Sequence, residues 1–202
     1  TQTEAWDDLV QLYEAALKRR SRKELRESNL FELGMVHWRQ RLSMDEAEAT
    51  FEKLRKSNPS HTGMLGFYRV ICLEQDEPGR LVRILQDACW ASAQVDEQVE
   101  LCLEVAAVAG DREELRERAV ESLRFAMRLA PEVDELRETL MHFYREGRQW
   151  HGLVEMQLEY LDTLPEHAKA KKLAVLGELL DVYQSELRVE SMVAQIQHTI
   201  LD

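Results

Sequence analysis

"AEATFEKLRKSNPSH" at residues 47–61 and "AVESLRFAMRLAPEV" at residues 119–133 share few letters and one spacing. In each, a small residue is followed by a large apolar residue four positions on, a small or apolar residue three later, and a proline five after that. The sets are Ala47, Phe51, Leu54 and Pro59, then Ala119, Leu123, Ala126 and Pro131. Steps of four and three fall on one face of an α-helix, and proline cannot continue the helix before it. Each stretch therefore reads as a packing face and its stop. The spacing returns less tidily at Leu153, Gln157, Tyr160 and Pro165, and at Leu81, Leu85 and Ala88 with Ala93 in the proline position.

The four starts lie 34, 38 and 34 residues apart, so alternate units differ by a short insertion. One short and one long step make a larger period of 72, which the dipeptide Leu-Val repeats at Leu9–Val10, Leu81–Val82 and Leu153–Val154. Trp6 and Trp150 each stand three residues before such a dipeptide. Two antiparallel helices cannot hide all their apolar surface between themselves, so such pairs stack and bury a continuous core. Small residues at Ala47, Ala119 and Ala126 let neighbouring helices approach, and Phe51 and Leu123 fill the space beside them. Packing constrains size and position more than identity, which is why the spacing persists while the letters change.

The remainder of the 202 residues agrees. Hydrophobic residues make up 45% and charged residues 32%, with 8 Gly and 4 Pro, the composition of a folded helical chain. Apolar residues recur at three- and four-residue steps almost throughout, and no segment alternates as a half-buried strand would. Breaks fall near residues 21–22, 43–45, 58–61, 76–79, 92–96, 110–112, 131–133, 147–149, 164–167 and 186–188, which predicts an all-α chain of about eleven short helices.

A net charge of −12 repels phosphate backbones and anionic membranes, so nucleic acid is not an expected partner. No apolar run approaches the roughly 18 residues that span a bilayer, and "TQTEAWDDLV" lacks the basic start and apolar stretch of a signal peptide. The expectation is a soluble, cytoplasmic piece without membrane insertion. "AWDDLVQLYEAALKRR" carries the second-helix pattern with no first helix before it, and "RVESMVAQIQHTILD" stops one residue short of a break. The chain is therefore expected to be a fragment of a longer array, with uncapped ends able to self-associate.

Catalytic constellations are not found. His37, His61, His142, His151, His167 and His198 are scattered and lack paired metal-ligand spacing. Cys72, Cys89 and Cys102 form no C-x-x-C motif and fall in apolar helical patterns, where a thiol acts as a small hydrophobe. There is no nucleophile elbow and no phosphate-cradling glycine loop. The expectation is a non-enzyme without metal or cofactor. "KRRSRKELR", with Lys18, Arg19, Arg20, Arg22, Lys23 and Arg26, reads first as cations at a helix carboxyl end, and otherwise as a dock for an acidic partner or phosphate.

These half-units resemble tetratricopeptide repeats (TPR), whose unit of about 34 residues is a helix–turn–helix. The first helix of that family shows a large residue, a Leu-Gly pair and an aromatic. Leu30, Leu33, Gly34 and His37 follow that course with histidine for tyrosine, and Leu173, Leu176, Gly177 and Leu180 echo it. "TGMLGFYRVICLEQ" and "VDELRETLMHFYREG" lack the Leu-Gly pair. HEAT and Sel1-type repeats are the structural alternatives. The resemblance implies a right-handed superhelical solenoid over residues 1–202: a half unit at 1–22, then units at 23–58, 59–93, 94–131, 132–165 and 166–202.

Such a solenoid lines a concave groove with its first helices. Carried over from the Leu33–Gly34 pair, the groove positions are Phe31, Met35, Trp38 and Arg39; the same offset selects Leu65 and Arg69, then Arg137, Met141 and Arg145. Aromatic and arginine side chains are frequent interface anchors. The implied function is a scaffold or adaptor that binds a partner protein or peptide. The "W-x-x-L-V" opening is similar to repeat arrays in large bacterial proteins of cell polarity and gliding or pilus motility. A self-assembling structural array, or a regulatory domain of a larger enzyme, stands as the alternative.

Overall fold

The computed structural model describes residues 2–201, with side chains from residue 5 to residue 200. Among them are eleven α-helices and no strand: α1 (Gln2–Lys18), α2 (Lys23–Met35), α3 (Met44–Ser57), α4 (Thr62–Glu74), α5 (Pro78–Ala91), α6 (Val95–Ala109), α7 (Glu113–Leu129), α8 (Asp134–Glu146), α9 (Trp150–Thr163), α10 (Lys169–Val182) and α11 (Glu190–Leu201). The breaks between them lie within a few residues of those expected. Single π-helical turns, Val36–Gln40 and Tyr183–Leu187, prolong α2 and α10.

Local chemistry sets the helix ends. α3 opens on Asp45 and Glu46 and closes on Arg55 and Lys56, and α7 opens on Glu113 and Glu114 and closes on Arg128. Each arrangement complements the helix dipole. Pro78 takes the first turn of α5, where its missing N–H costs nothing. The His61 ring accepts a hydrogen bond from the Met64 N–H at 3.3 Å and caps α4.

The chain divides into two compact units, Thr1–Glu132 and Val133–Asp202. In the first, successive helices α1 to α7 pack each on the next, and α5 also meets α7. The expected packing faces form its core: Ala47, Phe51, Leu54, Leu85, Ala88, Ala119, Leu123 and Ala126 are all 0% exposed. In the second unit α8 packs on α9, α9 on α10 and α10 on α11, around Leu136, Leu140, Leu153 and Leu179.

Repetition is also written in the backbone. The residues after α3, α5, α7 and α9 have paired conformations: Asn58 and Ala130 sit at φ/ψ of −147/82° and −137/69°, Ser92 and Leu164 at −70/141° and −74/129°. Members of each pair are 72 residues apart, so the long period of the sequence is a period of turn geometry. Each turn from a first to a second helix contains one residue of positive φ: Leu42, Asp76, Gly110, Arg148 and Arg188. Behind α4 and α8 the same capping bond closes the turn, Glu77 N–H to Cys72 O and Gln149 N–H to Tyr144 O, both at 2.8 Å. After the two π turns the bond spans one residue more, Ser43 N–H to His37 O at 2.9 Å and Val189 N–H to Tyr183 O at 3.1 Å.

Side-chain bonds within the first unit tie helices two apart. Arg55 reaches Asp87 at 3.0 Å and Arg80 reaches Glu48, each across 32 residues. Buried Gln86 donates to Ser122 Oγ at 3.0 Å and accepts from Arg118 at 2.9 Å. Arg69 meets Glu104 across 35 residues. Each partner stands about one repeat away, as stacking of neighbours requires.

Candidate partner-binding surfaces

On the first helices of the first unit, α2 and its π turn carry Phe31, Met35, Trp38 and Arg39. Trp38 is half-buried and stands edge-on to the buried Phe67 ring of α4, with centroids 5.2 Å apart. The exposed Arg39 guanidinium lies 3.6 Å from the centre of the Trp38 ring, a cation–π contact that holds the indole from the solvent side. Met35 is half-buried beside them in sequence.

Arg69 of α4 grips Glu104 of α6 through two hydrogen bonds, Nε to Oε1 at 2.6 Å and Nη2 to Oε2 at 2.7 Å. The bond from Glu104 pushes the Arg69 pKa up from its ordinary value, against burial. The pair spans two successive first helices, and both side chains are in part open to solvent.

Phe31 and Leu65, expected on the same face, pack between helices. Phe31 is half-buried and packs across to the start of α4: its ring is 4.7 Å from that of His61, and a Cβ on Gly63 would lie 2.4 Å from Phe31 Cε2. It joins one first helix to the next. Leu65 is 2% exposed. α4 is packed by both α3 and α5, which narrows its open face and places Leu65 inside.

In the second unit, Arg137, Met141 and Arg145 belong to an internal network. Arg137 lies over the Tyr160 ring at 4.6 Å and donates to Met141 Sδ at 3.2 Å and to Gln157 Oε1 at 3.5 Å. Gln157 in turn donates to Glu178, which Arg145 approaches at 3.8 Å. Met141 is buried. Only Arg145 of the three is exposed, so the second unit offers less of the expected surface than the first.

Open surface not expected from the sequence lies on the second-helix side of the first unit. A cleft of about 590 Å³ runs between α1 and α3 over α2, floored by Leu30 and Leu33 and rimmed by Glu14, Lys18, Arg41 and Lys53. Buried His37 faces it. Burial, then the Arg41 guanidinium, pushes the His37 pKa below its ordinary 6.5. A second hollow of about 430 Å³ lies between α3 and α5, where Trp90 is 50% exposed near Pro59 and Lys56. No sequence signal separates these positions from ordinary packing residues. In the basic stretch, Arg26 donates to Leu17 O at 3.1 Å near the carboxyl end of α1, the role expected of a cation there.

Among the described residues no group of three or more His, Cys, Asp or Glu side chains is placed to hold a metal ion, and no helix is long and apolar enough to cross a membrane. No protein-family model matches the chain, and no curated protein matches it. Among solved structures it is similar to one titled "Functional Characterization of Pseudomonas Aeruginosa pilF", at 14% identity, with 98% of this chain and 91% of that one covered and a TM-score of 0.39. A likeness that shallow carries no argument about role.

Proposed function

We propose that this chain is a protein-interaction scaffold of the TPR type that holds a partner protein or peptide on the first-helix face of its first unit. The observation that carries this is the Trp38–Arg39 stack on the π turn after α2, with the Arg69–Glu104 pair on the helices that follow. π turns concentrate at functional positions because the widened turn re-aims the side chains it carries. An aromatic ring braced by buried Phe67 and capped by an exposed guanidinium has the properties of a binding anchor: large area, little freedom to lose, and charge at its rim. The face would also take acidic segments through Arg39 and the outer edge of Arg69.

The narrower setting, a cytoplasmic bacterial scaffold of polarity or motility, is supported by the "W-x-x-L-V" resemblance alone. Co-purification of the protein from its native cells, with mass spectrometry of what accompanies it, identifies the partner. Binding is then measured by titration calorimetry with Trp38→Ala and Arg39→Glu, against Arg83→Glu on the exposed side of α5. Loss of affinity of tenfold or more in the first two, with the third unchanged, supports the first-helix face. Unchanged binding in the first two removes it.

A further inference from the structure

Cys89 on α5 and Cys102 on α6 are separated by 13 residues, yet their sulfur atoms stand 3.2 Å apart inside the first unit. Both residues are 1% exposed. The turn between them is held by several bonds. Gln98 Nε2 donates to Cys89 O at 3.1 Å and to Ser92 O at 3.0 Å, the Gln94 N–H donates to Ser92 Oγ at 3.2 Å, and Ser92 Oγ donates to Glu97. The Cys89 thiol also lies 3.5 Å from Gln98 O. Helices fastened this closely keep the two sulfurs opposed. The third cysteine, Cys72 on α4, is buried and has no sulfur partner among the described residues.

We propose that Cys89 and Cys102 form a redox-closable pair, which a peroxide-class oxidant joins into a disulfide that staples α5 to α6. The bond needs the sulfurs to approach to about 2.05 Å, roughly 1 Å closer than they stand, within reach of small side-chain rotations. The thiolate of Cys89 attacks one peroxide oxygen, the O–O bond breaks, and hydroxide leaves, taking up a proton to become water. Cys89 is then a sulfenic acid. The Cys102 sulfur, giving up its proton, displaces the hydroxyl from Cys89 and forms the S–S bond, and the second oxygen departs as water. Two thiols and one hydrogen peroxide thus become one disulfide and two waters: the peroxide gains two electrons and each sulfur loses one.

The order of the two sulfurs follows from their contact. The contact between the two sulfurs pushes the Cys89 pKa down and, with burial, pushes the Cys102 pKa up. Cys89 is the attacking sulfur and Cys102 the resolving one. Because both are buried, peroxide reaches them only when the α5–α6 turn opens, so the bridge forms slowly and then suppresses the opening that admitted the oxidant. α5 is the second helix of one pair and α6 the first helix of the next. The staple therefore closes a junction between repeats, where the stability of a stacked array is decided.

The test treats the folded Cys72→Ser chain with hydrogen peroxide, then unfolds it and alkylates the free thiols. The expected product has lost two hydrogens in mass, takes no alkyl label, maps by peptide mass spectrometry to a Cys89–Cys102 bridge, melts several degrees higher, and reverts with dithiothreitol. Cys89→Ser in the same background yields no intramolecular bridge. Folded protein by circular dichroism in which both thiols still take label, or in which they reach sulfinic acid without bridging, overturns the proposal. The wild-type chain, read by peptide mapping, returns the same answer if the Cys72→Ser variant does not fold.

Discussion

Two Leu-Gly pairs that look alike in sequence predict opposite responses to the same substitution. At Gly34 an added Cβ would lie 2.7 Å from Phe51 Cε1 and Cζ and 3.0 Å from Cδ1. Phe51 is 0% exposed, and its ring is boxed by Phe67 at 4.6 Å and Phe31 at 6.3 Å, so it has nowhere to go. Replacing a helix-interior glycine by alanine gains about 1 kcal/mol of propensity, while overpacking a well-filled core costs about 1–3 kcal/mol. With the ring confined, the upper part of that range applies, and Gly34→Ala is expected to destabilise by about 1–2 kcal/mol. At Gly177 an added Cβ meets nothing within 4 Å, and the same is true of Gly66. Gly177→Ala and Gly66→Ala are therefore expected to stabilise by about 0.5–1 kcal/mol. Urea unfolding followed by far-UV circular dichroism measures all three. A Gly34→Ala midpoint that rises together with that of Gly177→Ala would falsify the close approach of α2 to α3 on which the first unit is built.

Other expectations follow from single sites. Gly110 sits at φ 49° and ψ −133°, a region open almost only to glycine, so Gly110→Ala is expected to cost about 1–3 kcal/mol in the same urea assay. A double-mutant cycle on Arg69→Met and Glu104→Gln should return a coupling of about 1 kcal/mol or less, because both groups are partly solvated. That coupling should shrink in high salt, and a salt-independent value of several kcal/mol would contradict the geometry. Buried His37 has its folded pKa pushed below the ordinary 6.5, so the unfolded chain binds the proton first as pH falls. Its contribution to stability is complete above 6.5 and is lost as pH drops below it toward the lowered folded pKa. Denaturation midpoints of wild type and His37→Gln, taken from neutral pH downward, should diverge near neutrality and converge in acid, and parallel curves would refute the assignment.

The packing faces of the helices were legible because their signal is geometric. Ala47, Phe51 and Leu54, and Ala119, Leu123 and Ala126, are all fully buried, since spacing alone decides which helix face turns inward. The two π turns were not legible: "VHWRQ" and "YQSEL" carry no residue that demands a widened turn, and only the capping bonds beyond them reveal the extra residue. Nor were the left-handed turn positions, because Leu42, Asp76, Arg148 and Arg188 stand where only Gly110 carries the expected residue. A fixed offset along the first helix selected Trp38, Arg39 and Arg69, which keep part of their surface open to solvent. The same offset selected Leu65, which the flanking helices enclose, and Met141, which is also buried. The Cys89–Cys102 approach depends on how tightly the α5–α6 turn is drawn, and a separation of 13 residues matches no motif.

Removal of Val133–Asp202 as a block, followed by circular dichroism and thermal unfolding of what remains, tests most directly whether helices here are held by their immediate neighbours alone. Seven helices that keep their helical signal per residue and still melt cooperatively are the predicted result. Collapse of residues 1–132 into a disordered chain would mean that the core is shared across the whole molecule, and the stacked-pair account would fail.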